Sequence, residues 1–408
     1  MENIEGWNKE ALGRIAYITM GQSPDSKYYS EEKNGLPFLQ GCAEFTNKYP
    51  KHVLYCSQTK KVAKKDAILF SVRAPVGRIN IADQDYIIGR GLAAISGSNV
   101  DHTYLEHYLK HEEANFRNAS QGSTFEAINS SELNKWPIEY PLLKTEQAKI
   151  AEILSTVDRA IEQTEALIAK QQRIKTGLMQ DLLTRGIDKH GNLRSEKTHK
   201  FKDSLLGRIP VEWNVQPLSE LAHVDRGKFT HRPRNDPHFY GGEFPFIQTG
   251  DVTSMIGRRV YTYTQTLNAR GTTVSKEFPR GTIAITIAAN IADTAILGIP
   301  MYFPDSIVGA VVSPPNTTRF IELMLRRWKP ILERLASQSA QKNINLEVLR
   351  PLLIPIPGPE EQQRIGNLYN RLDINQERME QKLLKLRSLK TALMQDLLTG
   401  KKRVIVLS

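Results

Sequence analysis

The sequence predicts an α+β protein in which two mixed α/β domains are separated by two long helices. These helices are predicted to pair as an antiparallel coiled coil within the chain, with pseudo-two-fold symmetry. Three observations support this fold. The heptapeptide LMQDLLT occurs at 178–184 and again at 393–399. A heptad pattern of apolar residues precedes each copy, and the sequences ahead of the two heptad regions are weakly similar. The chain is therefore built from a repeat that spans half its length.

The length and composition are those of a folded protein with two or three domains. Of the 408 residues, 40% are hydrophobic and 24% are charged. The longest apolar runs, at 281–288 and 306–313, are much shorter than the roughly 20 residues of a membrane helix. The N-terminus has no basic patch followed by an apolar stretch, so we expect no signal peptide and a cytoplasmic location.

The repeat extends well beyond the seven identical residues. At the same offset of 215 positions, EQAKI at 146–150 matches EQQRI at 361–365. From there to LMQDLLT, apolar residues recur at alternating steps of four and three, which is typical of a coiled-coil seam. The predicted seam consists of Ile150, Leu154, Val157, Ile161, Ile168, Leu178, Leu182, Ile365, Tyr369, Leu372, Met379, Leu383, Leu386, Leu393 and Leu397.

Each predicted helix would be about 55–60 Å long at about 1.5 Å per residue. A single helix of this kind would leave its seam in water, so the other copy is the expected partner. The alternative is a pair of ordinary helices within a larger bundle.

This repeat divides the chain into successive segments. We predict a first domain at 1–141, a long helix at 142–186, a linker at 187–208, a second domain at 209–357, a second long helix at 358–400 and a tail at 401–408. The linker is rich in Lys, Arg and His and has almost no apolar periodicity, which indicates a solvated segment.

The domains are predicted to mix short strands and helices. Candidate strands lie at 67–72, 78–82 and 282–288, and candidate helices lie at 103–118 and 318–336, the second with a kink at Pro330. The domains also share a Trp-Asn pair near their starts, and several later positions match: Leu12 with Leu218, Ala16 with Ala222, and Gly21 with Gly227. A common frame with different interiors is therefore expected.

Charge and cysteine usage narrow the choice of partners. Lys and Arg total 55 against 44 for Asp and Glu, and the net charge of +11 favours a polyanionic partner such as nucleic acid. The two cysteines, Cys42 and Cys56, have only His52 between them, too few ligands for a structural zinc site. We therefore predict two reduced thiols and no metal.

The chain resembles the specificity subunit of a type I restriction-modification system. The resemblance rests on the EQ-x-x-I opening of each long helix, the LMQDLLT closing, the junction HKFKDSLLGRIPVEWN at 199–214, and the repeat of variable domain and helix over essentially the whole chain. One departure is the second helix entry, which has one extra residue and is rich in proline (IPIPGPEEQQ against EYPLLKTEQ).

The resemblance implies that the two variable domains are target recognition domains. Each would read one half of a bipartite, asymmetric target in double-stranded DNA, while the helix pair would set the spacing and dock two methylation subunits. The chain itself would not be an enzyme. Adenine-N6 methylation with S-adenosylmethionine would belong to the methylation subunits, and ATP- and Mg-dependent cleavage would require added restriction subunits.

Base and phosphate contacts require Arg, Lys, Asn, Gln, Ser, Thr or His side chains on loops. In the first domain the candidate residues are Gln22, Lys27, Arg73, Arg78, Arg90 and Gln121. In the second they are Lys228, His231, Arg232, Arg234, Arg258 and Lys342. The segment 226–234 has five basic side chains with Phe229 among them, which is suited to a groove or phosphate contact.

Motifs for catalysis within this chain are incomplete. Ser313-Pro314-Pro315 begins an adenine methyltransferase motif, but Asn316 stands where an aromatic residue must hold the flipped base. Asp25 with the Glu31-Glu32-Lys33 run resembles a nuclease set, yet its polar surroundings indicate a loop. No phosphate-binding GxxxxGK[ST] sequence is present.

Two other functions remain open from the sequence. The chain could be a coiled-coil scaffold that joins proteins and never touches DNA. It could also be the specificity half of a fused or type II-like enzyme.

Overall fold

A computed structural model describes residues 5–120, 127–337 and 343–404, which belong to two compact units. Unit 1 comprises Met1–Leu167 and Met379–Ser408, and unit 2 comprises Ile168–Arg378. Each unit contains one mixed α/β domain, called domain 1 or domain 2, and part of each of two 39-residue helices. Within the described part of the chain, no helix is long and apolar enough to cross a membrane.

Domain 1 consists of short strands and helices that lead into the first long helix. Its strands are β1 (Trp7–Ala11), β2 (Ala16–Met20), β3 (Tyr29–Ser30), β4 (Leu36–Leu39), β5 (Leu54–Cys56), β6 (Val62–Ala63), β7 (Ile68–Ser71), β8 (Ile79–Ile81), β9 (Tyr86–Ile88), β10 (Leu92–Gly97) and β11 (Pro137–Pro141). The helices are α1 (Leu12–Ile15), α2 (His102–His111), α3 (Glu113–Ser120), α4 (Ser130–Lys135) and the long α5 (Lys144–Leu182).

Two sheets form the centre of domain 1. One has the strand order β2-β10-β7-β8 and the other β3-β5-β4-β9-β6, while β1 pairs separately with β11. Alternate residues of β7 enter different cores: Ile68 and Phe70 pack with helices α2 and α3, and Leu69 packs with Leu39 and Ile88 of the second sheet. The first sheet is therefore buried on both faces, which explains its nearly continuous apolar strands.

Domain 2 is built in the same way and ends in the second long helix. Its strands are β12 (Phe201–Lys202), β13 (Ile209–Pro210), β14 (Asn214–Pro217), β15 (Ala222–Arg226), β16 (Tyr240–Phe246), β17 (Arg259–Val260), β18 (Gln265–Leu267), β19 (Lys276–Phe278), β20 (Ile283–Thr286), β21 (Thr294–Leu297), β22 (Met301–Phe303), β23 (Ile307–Val312) and β24 (Leu353–Ile356). The helices are α6 (Leu218–Leu221), α7 (Thr249–Ser254), α8 (Ala269–Val274), α9 (Thr318–Ser337), α10 (Leu346–Leu349) and the long α11 (Pro359–Leu397).

The common frame predicted from the weak repeat is confirmed by the strand orders. The sheet β15-β23-β20-β21-β17 matches β2-β10-β7-β8 with one strand added, and β18-β16-β22-β19 matches the second sheet of domain 1 without β3. The pair β14–β24 corresponds to β1–β11. Leu12 and Leu218, equivalent in the sequence repeat, are both fully buried at the starts of α1 and α6. The repeated positions thus form the internal frame of each domain.

The repeated glycines have the same steric role in the two domains. A Cβ added to Gly21 would lie 2.1 Å from the carbonyl oxygen of Gly89, and one added to Gly227 would lie 2.1 Å from that of Pro304. Any side chain would collide with the adjacent backbone, so only glycine allows this close approach.

Most predicted elements are found with shifted ends. The three candidate strands correspond to β7, β8 and β20. The predicted helix at 103–118 is divided into α2 and α3 at Glu112, so the prediction of one continuous helix was wrong. The helix predicted at 318–336 is α9, and Pro330 lies inside it.

The long helices run antiparallel within each unit. In unit 1, Asp158 of α5 lies 2.6 Å from Lys390 of α11, and the later Glu165 lies 2.7 Å from the earlier Arg387. In unit 2, Lys175 lies 2.6 Å from Asp373. Near the end of α5, Leu182 shares a core with Ile365, which is close to the start of α11.

The predicted seam lies on the covered face of both helices. All fifteen of its residues are buried or half-buried, whereas Leu167 and Ile174, one position before seam positions on α5, are exposed. The ion pairs of the two units are also related by the repeat: α5 supplies Asp158 in unit 1, and α11 supplies its sequence equivalent, Asp373, in unit 2. A single pattern of helix contacts thus occurs twice, with the helices exchanging roles.

The segment 187–208, predicted to be a solvated linker, is exposed along most of its length, but buried residues that the prediction missed anchor it to unit 2. Ile187 and Leu206 belong to the core of unit 2, and Arg194 is also buried. The short strand β12 within this segment pairs with β13. The segment lacks apolar periodicity because a few isolated apolar residues and one buried arginine anchor it, rather than a continuous helical or strand face.

Candidate nucleic-acid interface

Three arginines of the basic segment 226–234 in domain 2 bind one aspartate, Asp305. Asp305 lies between β22 and β23, and its Oδ2 accepts hydrogen bonds from Nη2 of Arg232, at 3.1 Å, and from Nη2 of Arg234. Nε of Arg226 donates to the backbone carbonyl of the same aspartate. One carboxylate cannot neutralise three guanidinium groups, so this surface keeps an excess of positive charge.

An aromatic cluster supports this basic surface. Phe229 is buried, and its ring lies 5.7 Å from that of Tyr240 and 5.6 Å from that of Phe246. The hydroxyl of Tyr240 donates a hydrogen bond to the backbone carbonyl of Arg234. The phenylalanine within the predicted basic segment is therefore a packing residue that fixes the loop, rather than a side chain offered to a ligand.

A second aspartate organises the histidines of the segment. Asp236 carboxylate oxygens lie 3.1 Å from Nε2 of His231 and 2.7 Å from Nδ1 of His238. Hydrogen bonds from the backbone and then the ring of His238 lower the pKa of Asp236 below its usual value. Lys228 is exposed, and its ammonium group has no acceptor among the described residues. Positively charged hydrogen-bond donors therefore remain available near Asp305 and the arginines bound to it.

The candidate residues of domain 1 form a smaller group. Arg73 and Arg90 are exposed and line one cavity of about 200 Å³, together with Gln40 and Cys42. In the described part of the chain, neither guanidinium has a carboxylate partner. Both are therefore free to bind an external anion or acceptor.

Two more candidates of domain 1, Gln22 and Lys27, lie on the loop after β2. Gln22 is exposed, and its backbone N–H donates to the carbonyl of Ile88 at 2.9 Å. Lys27 is exposed and lies 3.3 Å from Asp25, within one short turn. Ser23 on this loop accepts a hydrogen bond from the backbone N–H of Arg90 at 3.1 Å, which ties the loop to the β9–β10 connection.

Arg90 and Asp305 occupy the same place in the two domain frames. The N–H of Gly21 donates to Leu92, and the N–H of Gly227 donates to Ile307, so Leu92 and Ile307 are equivalent. Two residues earlier, domain 1 has Arg90 and domain 2 has Asp305. The shared frame therefore carries groups of opposite charge at one surface position.

The remaining candidates lie along the long helices or outside the described residues. Arg78 lines a groove between α2 and the helices of unit 1, beside Glu106 and Lys110. Arg258 lies 3.5 Å from Glu377 of α11, so it contacts the long helix rather than Asp305. Gln121 and Lys342 lie outside the described residues.

The EQ-x-x-I sequences fasten each long helix to its own domain. Gln147 donates to the carbonyl of Pro141 at 2.7 Å and accepts from the N–H of Asp101, just before α2, at 2.7 Å. Gln362 makes the corresponding contacts with Pro357, at 3.0 Å, and with Thr317 before α9, at 2.9 Å. The extra residue and prolines of the second entry leave this arrangement unchanged.

The glutamate of each EQ pair binds an arginine that follows the other LMQDLLT copy. Glu146 accepts two hydrogen bonds from Arg403, both 2.8 Å, and Glu361 accepts two from Arg194, at 2.6 and 3.0 Å. The Glu361 carboxylate also accepts from the N–H of Ile187. These bidentate pairs tie the start of each long helix to the segment that follows the end of the other helix.

The incomplete catalytic motifs have structural roles. Asn316 accepts a hydrogen bond from Gln362 at 3.0 Å, which helps to hold the start of α11. Asp25 caps a short turn by accepting from the N–H of Lys27, and Glu31 and Glu32 are exposed on a bend. Both cysteines are buried and unpaired, and no group of three potential metal-ligating side chains occurs among the described residues.

Sequence reasoning missed Asp305, Arg194 and Arg403. Asp305 lies 71 residues from Arg234, and no local pattern connects them. A signal did exist for the two arginines, because each follows a copy of LMQDLLT that closes a helix with EQ in its first turn. The different spacings, 10 residues in one copy and 4 in the other, conceal that signal.

Comparison with known proteins identifies this class of molecule. The family model of the type I restriction modification DNA specificity domain matches residues 4–171 and 210–387. The chain therefore belongs to that family. It is a type I restriction-modification specificity subunit with two DNA specificity domains, as the sequence resemblance indicated.

Relatives and solved structures agree with the family match. The type I restriction enzyme MjaVIII specificity subunit of Methanocaldococcus jannaschii is 25% identical over 437 residues, covering 98% of this chain and 94% of the relative. A specificity subunit of the same organism, named for MjaX, is 41% identical over 184 residues, which is 44% of this chain and 43% of that relative. The crystal structure of the type I system S subunit from M. genitalium has the same fold, with a TM-score of 0.64 at 16% identity, and the match covers 100% of this chain and 98% of that one.

Proposed function

We propose that each domain of this chain reads one half of a bipartite, asymmetric target in double-stranded DNA. The observation that carries the proposal is that the equivalent β9–β10 and β22–β23 connections bear unlike groups: Arg90, beside Arg73, in domain 1, and Asp305, with arginines around it, in domain 2. A shared frame can present each loop set to a duplex in a similar pose. Different groups on that frame would read different bases.

The paired helices would set the distance between the two half-sites. A helix pair joined along its length is stiff, whereas a flexible linker would allow many separations. Within each unit, the seam, the ion pairs and the bidentate Glu–Arg contacts would resist sliding of α5 against α11. Rigid spacing is therefore the property that these contacts support.

The outer faces of the helices would dock two methylation subunits. Unit 1 exposes Leu384 and Leu389 on α11, and unit 2 exposes Ile174 and Ile374, each at about half of its full area. Covering these side chains with a partner protein would remove apolar surface from water. Two similar surfaces would follow from the repeat.

The chemistry would belong to the partner subunits, and the chain would be a non-catalytic subunit. S-adenosylmethionine would bind to the methylation subunits, which would modify adenine at N6. ATP and Mg would be used by restriction subunits in the full complex. A cytoplasmic location, where genomic DNA is accessible, is part of this proposal.

The function can be tested in the complex with a methylation subunit. We expect methylation mapping of genomic DNA to give one bipartite motif that disappears when this gene is deleted. Duplex binding should weaken steeply with salt, because each neutralised phosphate contributes a slope of about 0.9 in the logarithmic plot. Absence of both the motif and the salt slope would favour a protein scaffold.

The partner identifies the system. A separate methylation subunit that co-purifies with this chain, together with a restriction subunit, is expected for a type I complex. Copurification with a single protein in which methylation and cleavage are fused would instead indicate a type II-like enzyme.

A further inference from the structure

The two arginines on Asp305 differ in how they use their hydrogen-bond donors. A guanidinium group has five N–H donors. The side chains of Arg232 and Arg234 are almost equally exposed, at 54% and 52%. Exposure alone therefore does not distinguish them, and their contacts do.

Arg232 is engaged within the protein. Its Nη1 donates to the carbonyl oxygens of Phe229 and His231, and its Nη2 donates to Asp305. Two hydrogen bonds to its own loop and one to Asp305 leave this guanidinium little freedom to turn toward a ligand. Arg232 is thus suited to hold the loop on Asp305.

Arg234 makes a single side-chain contact. Its Nη2 donates to Oδ2 of Asp305, and its other four donors have no acceptor among the described residues. The backbone beneath it is fixed by the hydroxyl of Tyr240. The guanidinium is therefore held at one nitrogen, while Nε and Nη1 remain open to an outside acceptor.

We propose that Arg234 reads a guanine in the major groove of the second half-site, and that Asp305 is the positioning residue that orients it. The inference rests on the proposed function. Guanine presents two acceptors, O6 and N7, on its major-groove edge, and a guanidinium can donate two parallel hydrogen bonds to them. A guanidinium that Asp305 already holds in one orientation favours that pair of bonds, because it loses less side-chain entropy on binding than a mobile one would.

The frame of domain 1 supports an asymmetric reading. Its residue at the Asp305 position is Arg90, an exposed arginine without a carboxylate partner in the described part of the chain. In domain 1 the β9–β10 connection itself supplies a guanidinium group, that of Arg90. In domain 2 the equivalent β22–β23 connection supplies Asp305, the carboxylate that orients the guanidinium of Arg234. The two domains therefore bring their donors from different loops, which predicts unlike half-sites.

The first test replaces Arg234 with lysine in the full chain, assembled with its methylation subunit. Lysine keeps the charge and removes the planar fork. We expect one G·C position in the second half-site to become degenerate, with discrimination reduced about 5- to 150-fold, which corresponds to the loss of one bidentate contact. The first half-site and the salt dependence of binding should not change.

Two matched arginine variants serve as controls. Arg280 is exposed on the turn between β19 and β20, and R280K should leave the motif unchanged. R232K should lower the thermal stability of the complex and keep the preferred base. The inference is overturned if R234K weakens binding equally at all sequences, since Arg234 would then be a phosphate contact, or if R232K alone relaxes the motif.

The second test addresses Asp305. D305N should make the same base pair degenerate as R234K, and the double variant should show no further relaxation, because both changes remove one interaction. If D305N instead strengthens binding to all sequences with the motif intact, Asp305 does not position Arg234. A wild-type complex without any bipartite motif would refute the proposed function itself, whereas an intact motif in R234K would refute only this inference.

Discussion

At the residue scale, a buried histidine is expected to make the stability of unit 1 depend on pH. His107 on α2 is 2% exposed, and its Nε2 lies 3.1 Å from the hydroxyl of Ser155 on α5. Among the described residues its Nδ1 has no hydrogen-bond partner, and it lies 4.0 Å from the Asp158 carboxylate, which forms an ion pair with Lys390 of α11. Burial lowers the pKa of His107 to about 4.

Two further charges face this ring from its own helix. Glu106 favours the protonated imidazole and Lys110 opposes it, and the two side chains form an ion pair with each other at 2.6 Å. Burial therefore remains the dominant influence on the pKa. The imidazole is neutral in the folded protein at pH 7 and stays so at pH 5.

Acidification should therefore destabilise unit 1 through His107. In the unfolded chain a histidine protonates near pH 6.5, whereas the folded group does so only near pH 4. The contribution of the neutral imidazole to the free energy of unfolding is fully present above pH 6.5 and is lost as the pH falls toward 4. At pH 5 the loss is about 2 kcal/mol. Urea unfolding at pH 7 and pH 5 should show this loss in the wild type.

His107→Gln supplies the comparison, because glutamine does not titrate. All other ionisable groups are common to both proteins, so their contributions cancel in the difference between the two pH dependences. A variant whose stability falls between pH 7 and pH 5 as much as that of the wild type would show that His107 is not the responsible group.

The repeated glycines give a second residue-scale prediction. Gly227→Ala would place a methyl group 2.1 Å from the Pro304 oxygen and 2.6 Å from Cβ of Phe303. We expect a loss of about 1–3 kcal/mol in the free energy of unfolding, measured in urea, as for overpacked sites. Gly177→Ala is the control, because it lies inside α5 with nothing within 4 Å. It should stabilise the protein by about 0.5–1 kcal/mol, and equal effects of the two substitutions would contradict the steric argument.

At the element scale, the entries of the long helices depend on buried charge pairs. The Arg194 and Glu361 side chains are 8% and 9% exposed. Glu361→Gln would leave the buried guanidinium with only the exposed Glu212, 3.1 Å from its Nε, as counter-charge. We expect a loss of about 3 kcal/mol in the unfolding free energy of unit 2. Thermal and urea unfolding would measure it.

The adjacent Glu360 provides a matched control for this substitution. It is exposed in the same first turn of α11, so Glu360→Gln should change stability by less than about 0.5 kcal/mol. The loss of unfolding free energy caused by Glu146→Gln in unit 1 should lie between those of Glu360→Gln and Glu361→Gln, because Arg403 is 40% exposed and can reach water. Equal losses for Glu360→Gln and Glu361→Gln would exclude the buried pair as the cause.

The elements most accurately predicted from the sequence are those with long, regular patterns. The long helices predicted at 142–186 and 358–400 occupy Lys144–Leu182 and Pro359–Leu397. The short helices and strands were predicted less accurately from the sequence. The break at Glu112 between α2 and α3 carries no glycine or proline, so no local helix breaker signals it in the sequence.

At the scale of the whole molecule, the proposed spacing role predicts that longer helices change the target. We would duplicate residues 160–166 in α5 and 375–381 in α11, which are equivalent in the repeat. Seven residues restore the seam register and lengthen the pair by about 10 Å, or about three base pairs of duplex. Methylation mapping should then show the same two half-sites with a longer spacer.

The one-sided insertion is the control for this design. A heptad added to α5 alone would shift its residues by seven positions relative to α11, so the seam and ion-pair contacts on one side of the insertion would not form. We therefore expect loss of assembly or of methylation. A two-sided variant that still recognises the original spacing would refute the ruler role, while leaving the reading of each half-site intact.

The sequence by itself determined the duplication, the helix pair and the family, because a heptad seam and an identical closing peptide are periodic signals written in neighbouring residues. Only the tertiary structure decided which groups meet at the basic loops and helix entries. Asp305 reaches Arg234 across 71 positions, Glu361 reaches Arg194 across 167, and Glu146 reaches Arg403 across 257. Such contacts are set by how strands and helices pack, and packing brings together residues that share no local pattern.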